Sequence, residues 1–202
     1  MSAFAGNGQD FAFTAENAER AKAVVAKYPE GRQASAVLAL LDLAQRQNDG
    51  WLPLAVLDYV ADFLRMPRIR VYEVATFYTM FNLEPVGRHL VQVCTTTPCW
   101  LCGSDDVLAA CREVLGIGVG ETSEDGRFTL VEVECLGACC NAPMMQINDD
   151  YYEDLDAASS KRVLEALRRG ETAKPGSQSG RCTSEPATGL TTLKGTQPAG
   201  SS

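Results

Sequence analysis

Two pairs of cysteines are the residues in this sequence best suited to chemistry. Cys94 and Cys99 enclose Thr-Thr-Thr-Pro, and Cys135 and Cys139 enclose Leu-Gly-Ala. Each pair follows a strand-like alternation. Val91 and Val93 flank Gln92, and Val131, Val133 and Cys135 alternate with Glu132 and Glu134. If the two strands are neighbours in one sheet, both loops leave at the same end and four thiolates converge. A [2Fe-2S] cluster needs that donor set, two thiolates to each iron. Gly103, Gly137 and Ala138 are small enough to leave room for inorganic sulfur, and their backbone N–H groups are candidate donors to it.

Three other arrangements use the same residues. Four cysteines at such spacings also suit a zinc site, although structural zinc more often uses short knuckles in folds that lack a core. Cys99-Trp100-Leu101-Cys102 reads as a CxxC dithiol after a strand and before a helix, which is a thiol oxidoreductase pattern. That reading leaves the second loop idle. Cys94, Cys99 and Cys102 match the start of the plant-type ferredoxin spacing, with one of Cys135, Cys139 or Cys140 as the fourth ligand. This last arrangement breaks the symmetry of two pairs. The remaining cysteines have plainer readings: Cys111 lies on an apolar helical stripe and is expected in the core, Cys140 abuts Cys139, and Cys182 stands alone in the tail.

The elements that position these loops fall into two sets. Residues 1–85 read as a helical region. Thr14 is a candidate N-cap, and a second helix is expected over Gln33–Gln47 with Val37, Leu38, Leu41 and Ala44 on one face. Leu54, Leu57, Val60, Ala61 and Leu64 form a third stripe, stopped at Met66-Pro67. Val71, Val74, Ala75 and Tyr78 mark a fourth. Residues 86–172 change period. They read as two strands leading into the cysteine loops, a helix through Val107, Leu108, Cys111, Val114 and Leu115, a hairpin from Met145 to Tyr152, and a last helix near residues 157–169. The expected fold is α+β, a helical bundle followed by a thioredoxin-like α/β domain. Residues 173–202 are rich in Gly, Pro, Ser and Thr and are expected to be an extended or disordered tail that clamps a partner, with Leu190 and Leu193 for docking.

Composition removes several function classes. A net charge of −8 argues against nucleic acid as a partner. Eight cysteines without a secretory start point to metal or redox work rather than disulfides. The single histidine, His89, rules out a Cys2His2 zinc site and a Rieske centre. No apolar run reaches the length of a membrane span. GIGVG at 116–120 lacks the strand-before, helix-after context of a dinucleotide fingerprint, and no carboxylate pairs with a recognisable nucleophile or base. The sequence offers an electron site with no catalytic residue of its own.

VYEVATFYTMFNLEPVGRHLVQVCTTTPCWLCG, followed by VECLGACCNAPMMQIND, resembles the small iron–sulfur subunit of respiratory complex I. This is the family of the small [2Fe-2S] subunit of bacterial NADH-quinone oxidoreductase and of a mitochondrial flavoprotein-fragment subunit. The resemblance continues into the tail segment SGRCTSEPATGLTTL. It places Cys94, Cys99, Cys135 and Cys139 on the family's ligand positions. It implies a [2Fe-2S] cluster that takes single electrons from the FMN of a larger flavoprotein partner, which also binds NADH. Other subunits of the peripheral arm would be further partners. The expected setting is the cytoplasmic side of a bacterial inner membrane, or the matrix side in an organelle, without a span of its own. Similar subunits serve NAD-linked formate dehydrogenases and hydrogenases, and the cysteine motif alone does not separate these assemblies.

Overall fold

The computed structural model describes residues 11–189 and Thr192. The chain divides into two compact units, Met1–Arg88 and His89–Ser202.

The first unit is helical. Helix α1 (Ala15–Val25) starts where Thr14 Oγ1 accepts the Asn17 N–H at 3.2 Å, satisfying one of the free amides of the first turn. A 3-10 turn at Gln33–Ala36 leads into α2 (Val37–Gln47). Pro53 caps α3 (Leu54–Leu64), and Pro67 separates it from α4 (Arg68–Phe77). The core is aliphatic, with Leu40, Leu41, Leu57, Val60 and Val71 fully buried. Phe11, Phe13, Tyr59 and Phe63 pack edge to face beside it. The buried face of α2 differs from the expected one. Leu40 and Leu43 point inward, and Leu38 is exposed. The entering 3-10 turn rotates the stripe relative to a helix begun at Gln33.

The second unit is built on a six-stranded sheet of order β2-β3-β1-β4-β5-β6. Its strands are β1 (His89–Cys94), β2 (Glu121–Thr122), β3 (Phe128–Val133), β4 (Met145–Ile147), β5 (Asp150–Glu153) and β6 (Gly176–Ser177). Strands β1 and β3 pair in parallel with Cys94 opposite Val133, so both cysteine loops do leave at one end. The chain crosses between them through α5 (Thr97–Leu101) and α6 (Ser104–Leu115). Helices α6 and α7 (Ala157–Arg168) pack side by side. Asp156 and Ser159 form a capping box at the start of α7.

Val91, Val93, Leu108, Cys111, Leu130, Ile147 and Leu164 are among the residues that fill the core between these helices and the sheet. Cys111 is completely buried there, which pushes its thiol up to about 12. On β3, Phe128 and Leu130 are buried, while Val131 and Val133 lie half-covered on the other face. The expected cysteine loop after β1 is largely the short helix α5, which Pro98 helps to start because its missing N–H is not needed in a first turn. Strands β2 and β6 are too short to announce themselves by alternation. Strand β6 means that the tail, expected to be extended, returns to the sheet beside β5. Leu190 and Leu193 lie outside the described residues.

Candidate metal centre

The first cysteine pair is set by buried elements. Cys94 is the last residue of β1 and Cys99 lies within α5; each is 1% exposed. Both pack on Met144, also 1% exposed, with Leu136, Ala138, Ala142 and Tyr151 around them. The Cys94 N–H donates to the Met144 carbonyl at 3.3 Å, tying the strand end to the segment before β4. Burial raises the Cys94 thiol, but hydrogen bonds from Thr96, from the Leu136 amide and from the Cys99 thiol outweigh it and hold the group below its ordinary value. Burial, and donation to Cys94, push Cys99 up to about 12. The Cys99 thiol thus donates to Cys94.

The second pair sits at the surface. Cys135 follows β3, and Cys139 opens a single 3-10 turn, Cys139–Asn141. Both are exposed, and their sulfurs are 3.3 Å apart. Two sulfurs on one tetrahedral metal, with bonds of about 2.3 Å, lie roughly 3.7 Å apart, so the pair is close to a chelating spacing. Gly137 donates its N–H to Cys135 Sγ at 3.4 Å. That bond, with donation from Cys139, lowers the Cys135 thiol, and the same contact with Cys135 raises Cys139. Gly137 has a φ of +88°, and an added Cβ would meet nothing within 4 Å. The residue is therefore required by backbone conformation rather than by crowding. Tyr151 Oη donates to the Leu136 carbonyl at 2.8 Å and holds the middle of the loop.

The two pairs face each other. The Leu136 amide reaches Cys94, Thr96 reaches Cys135, and the Cys94 charge acts on both Cys135 and Cys139. The donors are soft thiols grouped in two pairs, with backbone amides aimed at sulfur. That chemistry fits a [2Fe-2S] cluster. Among the described residues, no three His, Cys, Asp or Glu groups are placed to hold a single ion together. Cys102 is exposed at the C-terminal end of α5, and Cys140 and Cys182 are exposed as well. His89 begins β1 and stacks on Phe128 with ring centroids 5.1 Å apart.

The sequence reading missed Arg181 and Asn141. Asn141 is 3% exposed, and Arg181 reaches back from the tail to donate to the Cys140 carbonyl at 2.8 Å. Neither residue type is a ligand, and the 41 positions between Cys140 and Arg181 hid the contact that Arg181 makes. The only available signal was the tail segment SGRCTSEPATGLTTL itself, whose resemblance reached beyond the folded domain.

A parallel strand pair delivering two cysteine loops, on a small sheet backed by two helices, defines a ferredoxin built on a thioredoxin-like frame. The chain belongs to the thioredoxin-like [2Fe-2S] ferredoxin family, whose pattern matches residues 21–168. The NADH-quinone oxidoreductase E subunit of Rickettsia bellii is 57% identical over 159 residues, covering 79% of this chain and 95% of that protein. The mitochondrial NADH dehydrogenase [ubiquinone] flavoprotein 2 of Dictyostelium discoideum is 52% identical over 183 residues, covering 91% of this chain and 74% of that protein. Among solved structures, an NAD+-reducing [NiFe]-hydrogenase in its air-oxidized state matches with a TM-score of 0.58 at 21% identity, over 67% of this chain and 23% of that one. The hydrogenase shares the fold; the two relatives share the sequence.

Proposed function

We propose that this chain is the electron-transfer subunit of an NADH:quinone oxidoreductase, with its [2Fe-2S] cluster held by Cys94, Cys99, Cys135 and Cys139. The observation that carries the reading is that the two cysteine pairs follow the parallel neighbours β1 and β3 at one end of the sheet, with Cys135 and Cys139 3.3 Å apart. It is supported by the extent of the identity to the Rickettsia bellii protein, which covers nearly all of that relative. When bound, such a cluster accepts and gives up one electron at a time.

The residues of the chain divide the remaining work. Cys94 and Cys99 exclude water from one side of the site, while Cys135 and Cys139 bring the other side to the surface. Trp100 and Leu101 follow Cys99 directly and are 57% and 72% exposed. An apolar rim beside an exposed redox site suits a docked protein partner. The partner in this reading is the larger flavoprotein subunit, which carries FMN and NADH, with other peripheral-arm subunits beyond it. No helix among the described residues is long and apolar enough to cross a membrane. Attachment to the cytoplasmic or matrix face of a membrane would therefore run through those partners. The equivalent subunit of an NAD-linked hydrogenase is a second reading, favoured by the shared fold.

The stretch from Phe128 to Ser160 holds Glu132, Glu134, Asp149, Asp150, Glu153 and Asp156 besides Asp154, which Arg181 pairs, and no Lys or Arg. Added negative charge opposes reduction, so a low midpoint near the plant-type value of about −400 mV is expected. The assembled complex tests the function. NADH should reduce the cluster signal when the FMN-bearing partner is present and leave it oxidised when the partner is absent. Full reduction of the isolated chain by NADH alone would overturn the assignment of the flavin to a partner.

A further inference from the structure

An ion pair of low exposure ties the tail to the second cysteine loop. Asp154 stands just after β5 and pairs with Arg181, their side chains 12% and 13% exposed. Arg181 Nε donates to Asp154 Oδ2 at 3.1 Å, and the same oxygen accepts from Ser177 Oγ at 2.6 Å. Arg181 Nη2 also donates to Asp154 Oδ1, and the remaining N–H groups of the fork reach carbonyls. Arg181 Nη1 donates to Glu185 O, and Nη2 to Cys140 O, each at 2.8 Å. Asn141 completes the link: its Nδ2 donates to Thr183 O at 2.7 Å, and its backbone carbonyl accepts the Asp154 N–H at 2.7 Å. Residues 177–185 and the end of β5 thus grip Cys140 and Asn141, the two residues that follow Cys139.

We infer that Arg181 is a positioning residue for the exposed cysteine pair: through the Cys140 carbonyl and Asp154 it fixes the turn that presents Cys139. The inference rests on the reading of Cys135 and Cys139 as ligands. A three-residue 3-10 turn with one closing bond, Asn141 N–H to Ala138 O, cannot hold a surface thiol in one place by itself. The planar guanidinium can, because its fork satisfies a carboxylate and two carbonyls in a fixed geometry. Lysine would keep the charge but lose the fork. Arg181 also brings a cation beside a stretch whose own sequence has none from Phe128 to Ser160, and Asp154 compensates that charge.

The test uses the full chain carrying its cluster, comparing wild type with Arg181→Lys, Arg181→Ala, and Arg181→Ala combined with Asp154→Ala. The double variant removes the half-buried carboxylate that the single alanine leaves without a cation. Two quantities are read on folded protein: the g-values of the reduced EPR spectrum and the rate of iron loss to a chelator. The double variant should release iron about tenfold faster, the scale of one lost charge-assisted hydrogen bond, with shifted g-values. Arg181→Lys should fall between it and wild type. A purely structural role would change the melting temperature and leave the g-values of folded protein alone. Wild-type g-values and release rates in both Arg181→Lys and the double variant would overturn the inference. Failure of the wild-type chain to hold a cluster would instead overturn the ligand assignment on which it rests.

Discussion

Cys94 and Cys99 are 1% exposed and packed on Met144, whereas Cys135 and Cys139 lie at the surface on a loop secured by Gly137, Tyr151 and the Asp154–Arg181 pair. The first pair inherits its rigidity from the hydrophobic core, because a strand end and a buried helix leave little freedom. The second pair depends on individual hydrogen bonds, some from a segment more than forty residues away. With the four cysteines as the proposed ligands, the difference makes the site both protected and reachable. One side is sealed by packing, and the other is open and held by polar contacts.

The largest expected effect comes from removing a thiol. Cys→Ser at 94, 99, 135 or 139 should each abolish or strongly alter the cluster spectrum, since a hydroxyl is a harder donor than the iron prefers. The two pairs should separate in apo-protein stability. Serine at 94 or 99 buries a hydroxyl and should cost about 1–3 kcal/mol, while serine at 135 or 139 should leave denaturant midpoints near wild type. Cys→Ser at 102 or 140 should leave a near-normal spectrum. Equal destabilisation at all four positions would erase the contrast between the pairs.

Met144→Ala comes next. It opens a cavity under the buried pair and should cost about 2–5 kcal/mol in chemical denaturation. A cost below about 1 kcal/mol would show that packing does not fix Cys94 and Cys99. Acid should act on the other pair. Burial raises the Asp154 carboxyl, but hydrogen bonds from Arg181, Ser177 and Ser179 outweigh it and hold the group below its ordinary value. Asn141 Nδ2 also faces it at 3.4 Å. A depressed acid contributes stability that is fully present above its unfolded value of about 3.9 and is lost as pH falls through the folded value. Hydrogen exchange, corrected for intrinsic rate, should therefore show residues 176–185 loosening below about pH 4 before the amides of α6 around Cys111. Simultaneous loosening of both would contradict this order. Tyr151→Phe is the smallest change. It removes one hydrogen bond to Leu136, worth about 1 kcal/mol, and should speed iron release modestly without affecting Cys94 and Cys99 packing. Unchanged release would remove Tyr151 from the supports of the exposed loop.

What the sequence made legible follows the same divide. The parallel strands, the apolar stripes of α3 and α7, the Thr14 cap and the core position of Cys111 all produce periodic or capping patterns that local physics can read. The alternation of Val131 and Val133 with Glu132 marked β3 as a strand, but which of its faces is buried was left to tertiary packing. Leu38 was misplaced because a 3-10 turn altered the helix start. The Arg181–Asp154–Asn141 network left no local pattern at all. Its members are ordinary polar residues, and only the fold brings residues 154 and 181 together.

The EPR spectrum of the dithionite-reduced full chain, quantified against its iron content, tests the central claim most directly. Two thiolate pairs on one binuclear cluster predict a single unpaired spin per two irons per chain, appearing near a midpoint of about −400 mV. A colourless, EPR-silent protein carrying one zinc per chain, or a spin retained in Cys135→Ser but lost in Cys102→Ser, would contradict it.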